Sequence, residues 1–374
     1  AMFGENTKNI SLVLSETDKL TKAVADTNSG EITITGSNSI IESKIVTTNK
    51  AGGKITVTLT DSVIKSPLVE SNAGELEITL NGTKGSEISA NLVNSNTGKI
   101  TANLTNTKLN GSIATTNAAS GKIEFVMSGG SNGAPAVDNN AGCVNVELEN
   151  ATINSNLFNT NTGTINWNKL SGNTIKNYLI DTQNSTAIMI MKLDSGNTIS
   201  HSLIRTANSN TTFELTSAVV TTYLVESNNK IMTITATNCS NLRNLVNVNN
   251  AGATISLTAT NCTITQMISA SNAGVLSVNI TGGTLDRLAV TNAATGSITG
   301  SISGTNVKLL VGTNNGTVNV SVKGNATVSS VITTNGASGS ATIEVSGATV
   351  SGDLVAASAG VATINLGSNI KIAT

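Results

Sequence analysis

The sequence predicts an all-β chain wound as a parallel three-sided β-helix, a right-handed β-solenoid of about sixteen coils of roughly 22 residues each. Three observations carry that expectation. An Asn-centred phrase recurs along the whole chain, apolar residues alternate with polar ones between its recurrences, and the composition suits a narrow aliphatic interior better than a broad aromatic one.

The phrase is two aliphatic residues, a variable one, Ser or Thr, Asn and a following Gly, as in "PLVESNAG" at 67–74, "NLVNSNTG" at 91–98 and "MISASNAG" at 267–274. Its Asn falls at Asn28, Asn49, Asn72, Asn96, Asn117, Asn140, Asn161, Asn228, Asn249, Asn272, Asn292, Asn314 and Asn335. Gln183, Ala207 and Ser358 fill the same slot in three further coils, and the spacing runs from 20 to 24 residues. An amide repeated once per coil reads as an internal corner ladder, each side chain bonding to those above and below and to turn backbone. The glycines that follow, such as Gly74, Gly98, Gly163 and Gly274, are expected to supply the positive φ of a tight corner.

Within each coil the period is two, which specifies strands. After the Gly, alternate aliphatics point inward: Ile55, Val57 and Leu59, or Ile255, Leu257 and Ala259. A shorter strand adds one or two, such as Val63 and Ile64, and a third carries the pair before the Asn, such as Leu68 and Val69. Three apolar strands per coil give a prism with three sides. Residues 10–374 read as one continuous solenoid and residues 1–9 as an N-terminal segment, a plug or an assembly arm. The start at Ala1-Met2-Phe3 reads as a mature secreted form with its signal removed or as a vector scar, and both ends look uncapped, which predicts end-to-end joining of copies.

With 2% aromatic and 11% charged residues and a net charge of −1, the chain has neither the bulk for a large globular core nor the charge for nucleic acid. No apolar run approaches a membrane span, so no membrane insertion is expected. The 38% hydrophobic content, rich in β-branched residues, argues against disorder. No cofactor, metal or catalytic residue is expected.

Two constellations are candidates for chemistry. Asp181, Arg205 and Glu226 take the same slot in three consecutive coils, with His201, the only histidine, four residues before Arg205. A surface salt ladder explains them, since no aromatic platform or further acid completes a sugar-cleaving centre. "TATNCS" and "TATNCT" stack Cys239 over Cys262, within the Cα window of a disulfide, while two stacked free thiols remain the alternative and Cys143 is left unpaired, either buried or free as an intermolecular thiol. An outward Thr-x-Thr array of the ice-binding kind is interrupted at Glu124, Val126, Asn145 and Glu147. Sequons occur at Asn81, Asn103, Asn150, Asn210, Asn279 and Asn325 among others.

The "SNAG"-type corners, the Asn/Thr/Gly-rich coils and the sparse charge resemble the secreted β-solenoids of microbial cell surfaces, which include adhesin passengers and sheath or surface-layer proteins. Within that class the chain is similar to the proteins of the tubular cell sheath of methanogenic archaea. The resemblance implies hoops of laterally and axially joined subunits, with Cys143, Cys239 and Cys262 fitting disulfide reinforcement. The expected function is that of a secreted, cell-surface structural protein whose partners are other copies of itself. An adhesin binding cell-surface glycans and a polysaccharide-active enzyme are the alternatives.

Overall fold

A computed structural model describes residues 1–372; positions 373 and 374, the end of the expected solenoid, lie outside the described residues. Among the described residues every regular element is a strand, and every register in the sheets is parallel, with partners about 22 residues apart in a β-solenoid of about 17 turns. The chain forms two compact units, Ala1–Ala187 and Ile188–Thr374. Each is a stack of the same kind of coil.

A coil of the first unit runs Lys54–Thr60, Val63–Ile64 and Val69–Asn72, hereafter the long, short and corner strands. In the second unit the short and corner strands often fuse, as in Thr263–Asn272 after Thr254–Thr260. Ile55, Val57 and Leu59 are fully buried and pair in register with Leu76, Ile78 and Leu80 of the next coil. Stacking like on like lets each branched side chain fill the pleat of its neighbour, at roughly 1.5–3 kcal/mol per buried aliphatic side chain. The second unit's long strands form their own nine-stranded sheet, from Met189–Leu193 to Val361–Leu366.

The Asn row is the ladder the repeat predicts. Asn49 Nδ2 donates to Asn72 Oδ1 (2.8 Å), Asn72 to Asn96 (2.8 Å) and Asn96 to Asn117 (2.8 Å), and Asn49 also donates to the Gly53 and Glu75 carbonyls. The row continues through Asn161 to Gln183 Oε1 (2.8 Å) in the first unit, and from Asn228 to Ser358 in the second. Residues 1–9, set apart in the sequence reading, supply one more rung. Phe3–Asn6 is a corner strand parallel to Ala25–Asn28, and the Asn6 amide donates to Asn28 Oδ1 (2.8 Å).

The glycines after the Asn have a different cause from the one expected. Gly74, Gly98, Gly163 and Gly274 are absent from the positive-φ residues; what excludes a side chain there is space. A Cβ on Gly74 would lie 2.2 Å from the Gly53 carbonyl oxygen, and one on Gly98 would lie 2.2 Å from that of Gly74. The glycine column lets successive corner backbones close on one another. The left-handed residues sit at another corner, where the long strand ends: Asn38, Asp61, Asn106, Asn150, Ser217, Asn238, Asn261 and Asn325 all have φ between 47° and 62°. Asn and Asp tolerate that conformation better than other residues with a Cβ, and Gly takes the slot in other coils.

Candidate functional site

Just inside the left-handed corner lies a buried column of small residues, and both core cysteines belong to it. Ser62 Oγ donates to the Thr60 carbonyl (2.8 Å) and Thr107 Oγ1 to that of Thr105 (3.1 Å); Cys239 Sγ repeats the contact with Thr237 (3.5 Å) and Cys262 Sγ with Thr260 (3.4 Å). The expected Cys239–Cys262 disulfide is not formed, and Cys239, Cys262 and Cys143 are all free thiols. Parallel register explains this. The two side chains project the same way from the same turn of adjacent coils about 4.8 Å apart, whereas a disulfide needs Cβ atoms near 3.8 Å. The Cys239 N–H instead donates to Cys262 Sγ (3.4 Å). Hydrogen bonding from Cys239 draws the Cys262 thiol down to about 7, while the same contact and burial push Cys239 up.

Arg205 and Glu226 occupy equivalent positions of neighbouring corner strands, between the register pairs Ile204↔Val225 and Thr206↔Ser227. Glu226 also accepts a hydrogen bond from Ser202 Oγ (3.0 Å). Asp181 lies between Ile180 and Thr182 on the last corner strand of the first unit. Among the described residues no cluster of three or more His, Cys, Asp or Glu is placed to hold a metal.

Asp61 is a site the sequence reading passed over. Its carboxylate accepts from Thr83 Oγ1, from the Lys84 N–H (2.7 Å) and from the Gly85 N–H (3.3 Å) of the next coil. Those bonds hold its pKa below the usual carboxylate value, the Thr83 hydroxyl contributing most. They also fasten the extra residues that shift register between Asn81 and Ser86. The "NGTKG" insertion gave a signal of its presence but none of its anchor.

The outer faces of the two units differ. In the first, the long strands present Glu31, Lys54, Glu75, Glu77, Lys99 and Lys122, and the interruptions at Glu124, Val126, Asn145 and Glu147 fall here as well. In the second, four consecutive long strands, Ile231–Thr237, Thr254–Thr260, Val275–Thr281 and Ser297–Ser303, pair without a register shift and point no charged residue outward. Their outward columns are Thr233, Ser256, Ser277 and Thr299, then Thr235, Thr258, Asn279 and Ser301, with Ile231 and Val275 exposed at one margin. The hydroxyl array that the first unit breaks is therefore continuous in the second.

Of the concave features, one of about 330 Å³ beside Asp286 and Lys308 is lined by Thr265, Thr284, Asn306 and Thr327 and carries no aromatic ring. Asp286 is held there by Arg287 Nε (3.0 Å) and Lys308 Nζ (3.2 Å). Set against known proteins, the chain matches no family model, no curated protein and no solved structure, so its own faces are the ground for reading its function.

Proposed function

We propose that the chain is an extracellular structural protein that self-assembles into a cell-surface sheath, surface layer or filament by lateral and end-to-end packing of β-solenoids. One observation carries the reading: the uncharged four-strand face of the second unit. Protein surfaces ordinarily hold charges on about a quarter of their residues or more, and dehydrating each costs free energy that contact must repay. Here sixteen neighbouring outward positions are Thr, Ser, Asn, Ile or Val. Short hydroxyl side chains lose little rotamer entropy on burial and hydrogen-bond to a facing copy, while Ile231 and Val275 add apolar area. End-to-end joining uses the coil itself, because a parallel stack is lengthened by any coil that offers the same backbone edge. Neither catalysis nor a cofactor enters this reading, and cell-surface glycans are the second partner class.

The test is assembly of the full chain at rising concentration, followed by sedimentation and negative-stain imaging. Ordered arrays or filaments are expected from the wild type. Thr258→Lys with Ser277→Lys, placed mid-face, should abolish lateral arrays without changing the β-sheet circular dichroism. A wild type that stays monomeric throughout, or a double variant that assembles equally well, overturns the proposal.

A further inference from the structure

We infer that the left-handed corner row is an N-glycosylation edge, with Asn150, Asn238, Asn261 and Asn325 as its acceptor residues. All four lie at that corner with φ of 53°, 53°, 53° and 62°, and all four are exposed. Each is followed two positions on by a hydroxyl residue, Thr152, Ser240, Thr263 and Thr327 respectively. Their main-chain N–H groups are held by the next coil, as in Asn238 to the Thr260 carbonyl (2.9 Å) and Asn261 to that of Thr281 (2.8 Å). Their side-chain amides make no hydrogen bond within the described residues. The buried ladder amides, by contrast, are fully engaged.

Geometry separates these sequons from those on the long strands. Asn81, Asn103, Asn279 and Asn319 lie on long strands, paired on both sides: Asn103 between Thr79 and Val126, Asn279 between Thr258 and Ser301. A transferase cleft must take the acceptor amide and the hydroxyl two residues on together. At the corner the acceptor amide lies outside the paired strands, and its hydroxyl partner is the first residue of the next strand (Thr152, Thr263, Thr327) or lies outside one (Ser240), whereas an acceptor inside a flat sheet has to be lifted from two neighbours first. Asn110 is engaged otherwise, its amide donating to Glu87 Oε1 (3.0 Å).

The reaction class is transfer of an oligosaccharide from a polyprenyl diphosphate carrier by an oligosaccharyltransferase. The Asn Nδ2 forms a bond to the anomeric carbon, the bond from that carbon to the diphosphate oxygen breaks, and the amide proton passes to a base. Free polyprenyl diphosphate is the second product. The register Thr237↔Thr260 sets Asn238 and Asn261 one coil apart, about 4.8 Å, so that pair has room for a single glycan. Sugars confined to the corner leave the uncharged face bare, which ties this inference to the assembly reading without depending on it.

The experiment uses folded, unglycosylated full chain, a single-subunit oligosaccharyltransferase and a polyprenyl-diphosphate-linked oligosaccharide, with glycopeptides mapped by mass spectrometry. Corner sequons should be modified, Asn238 and Asn261 together carrying no more than one glycan per chain. Strand sequons should react at least about tenfold more slowly, because the strand must open first. Heat-unfolded chain should lose that preference. Thr327→Ala should silence Asn325 alone, and Asn238→Gln should raise occupancy at Asn261. Strand sequons reacting as fast as corners in the folded chain, or corners inert where unfolded chain reacts, overturns the inference; either result leaves the assembly test untouched.

Discussion

Removing one rung of the Asn ladder should cost less than its buried hydrogen bonds suggest, while charging the same rung should cost more. Asn249 is fully buried. It accepts from Asn228 Nδ2 (2.9 Å) and donates to Asn272 Oδ1 (2.7 Å) and to the Val275 carbonyl (3.1 Å). Three lost bonds at about 1 kcal/mol each suggest about 3 kcal/mol for Asn249→Ala, plus a further penalty if Asn272 Oδ1 is orphaned. The protein shows how such an orphan is relieved. Above Ala207, where the row has no amide, Asn228 Oδ1 accepts from the Lys230 N–H two residues on (3.4 Å), and at the first rung Asn6 Oδ1 accepts from Lys8 (3.2 Å). The Gly274 N–H, two residues on from Asn272, donates to the Asn249 carbonyl (3.2 Å), but the equivalent Gly316 N–H donates to Asn314 Oδ1 (3.2 Å), so the same relief is within reach and the expected loss stays at about 2–3 kcal/mol.

Asn249→Asp reverses the polarity of the lower contact. A carboxylate oxygen would replace Nδ2 against two acceptors, Asn272 Oδ1 and the Val275 carbonyl, in a site closed to water. The expected loss at neutral pH is about 3–5 kcal/mol or more, and the buried carboxyl should have a raised pKa. A raised pKa means the penalty is complete above it and fades as pH falls through it, because the protonated acid again donates to Asn272. Urea midpoints of wild type, Asn249→Ala and Asn249→Asp between neutral pH and about pH 4 would check this. Hydrogen exchange across Asn241–Asn249 and Thr263–Asn272 should accompany them, since stacked repeats need not unfold in one step. An Asp variant no worse than Ala at neutral pH, or a gap that does not narrow on acidification, would refute the reasoning.

Gly74→Ala should destabilise by more than about 3 kcal/mol, because its Cβ would meet the Gly53 carbonyl oxygen at 2.2 Å; Gly52→Ala, with open space and a φ of +86°, should cost about 1–2 kcal/mol. Thermal melts of the two variants decide whether space or conformation governs that corner. Non-reducing peptide mapping should recover Cys143, Cys239 and Cys262 unlinked, with half-exposed Cys143 the first to alkylate, and Cys239→Ser should cost less than about 1.5 kcal/mol because Ser62 already makes the same contact. Asp61 has a lowered pKa, so its hold on the 82–85 segment should be complete above the ordinary carboxylate range and lost as pH falls through the lowered value. Amide exchange at Lys84 and Gly85 should rise on that acid limb in the wild type and be uniformly fast in Asp61→Asn.

What was legible in the sequence is what every coil repeats. The Asn row and the alternating aliphatics announce themselves because each coil needs the same group at the same height. The left-handed corner escaped notice because Asn, Asp, Ser and Gly all satisfy it, so Asn38, Asp61, Gly129 and Ser217 form no visible motif. Asn6 was missed because "FGEN" lacks the aliphatic pair that marks the other rungs. The role of Gly74 could not be read, since a glycine needed for φ and one needed for space look alike in a sequence. Cys239 and Cys262 were correctly stacked but wrongly joined, because Cα spacing was used without the direction of the side chains.

The same logic locates where this chain can do anything specific. The interior is a set of ladders, and a group present in every coil cannot mark a single place; individuality belongs to outward positions, which the fold leaves unconstrained. The first unit spends that freedom on charge, with cross-coil pairs such as Lys19–Glu42 (3.0 Å), Lys44–Glu70 (2.6 Å) and Lys54–Glu77 (3.7 Å). Exposed pairs of this kind are worth at most about 1 kcal/mol to the fold, but they keep their surface wet, since each must be dehydrated before another surface can close on it. The second unit's sheet carries no such barrier across four strands. Contact between copies should therefore begin on that one face, and a single lysine at its centre should disturb assembly more than several substitutions among the charged strands of the first unit.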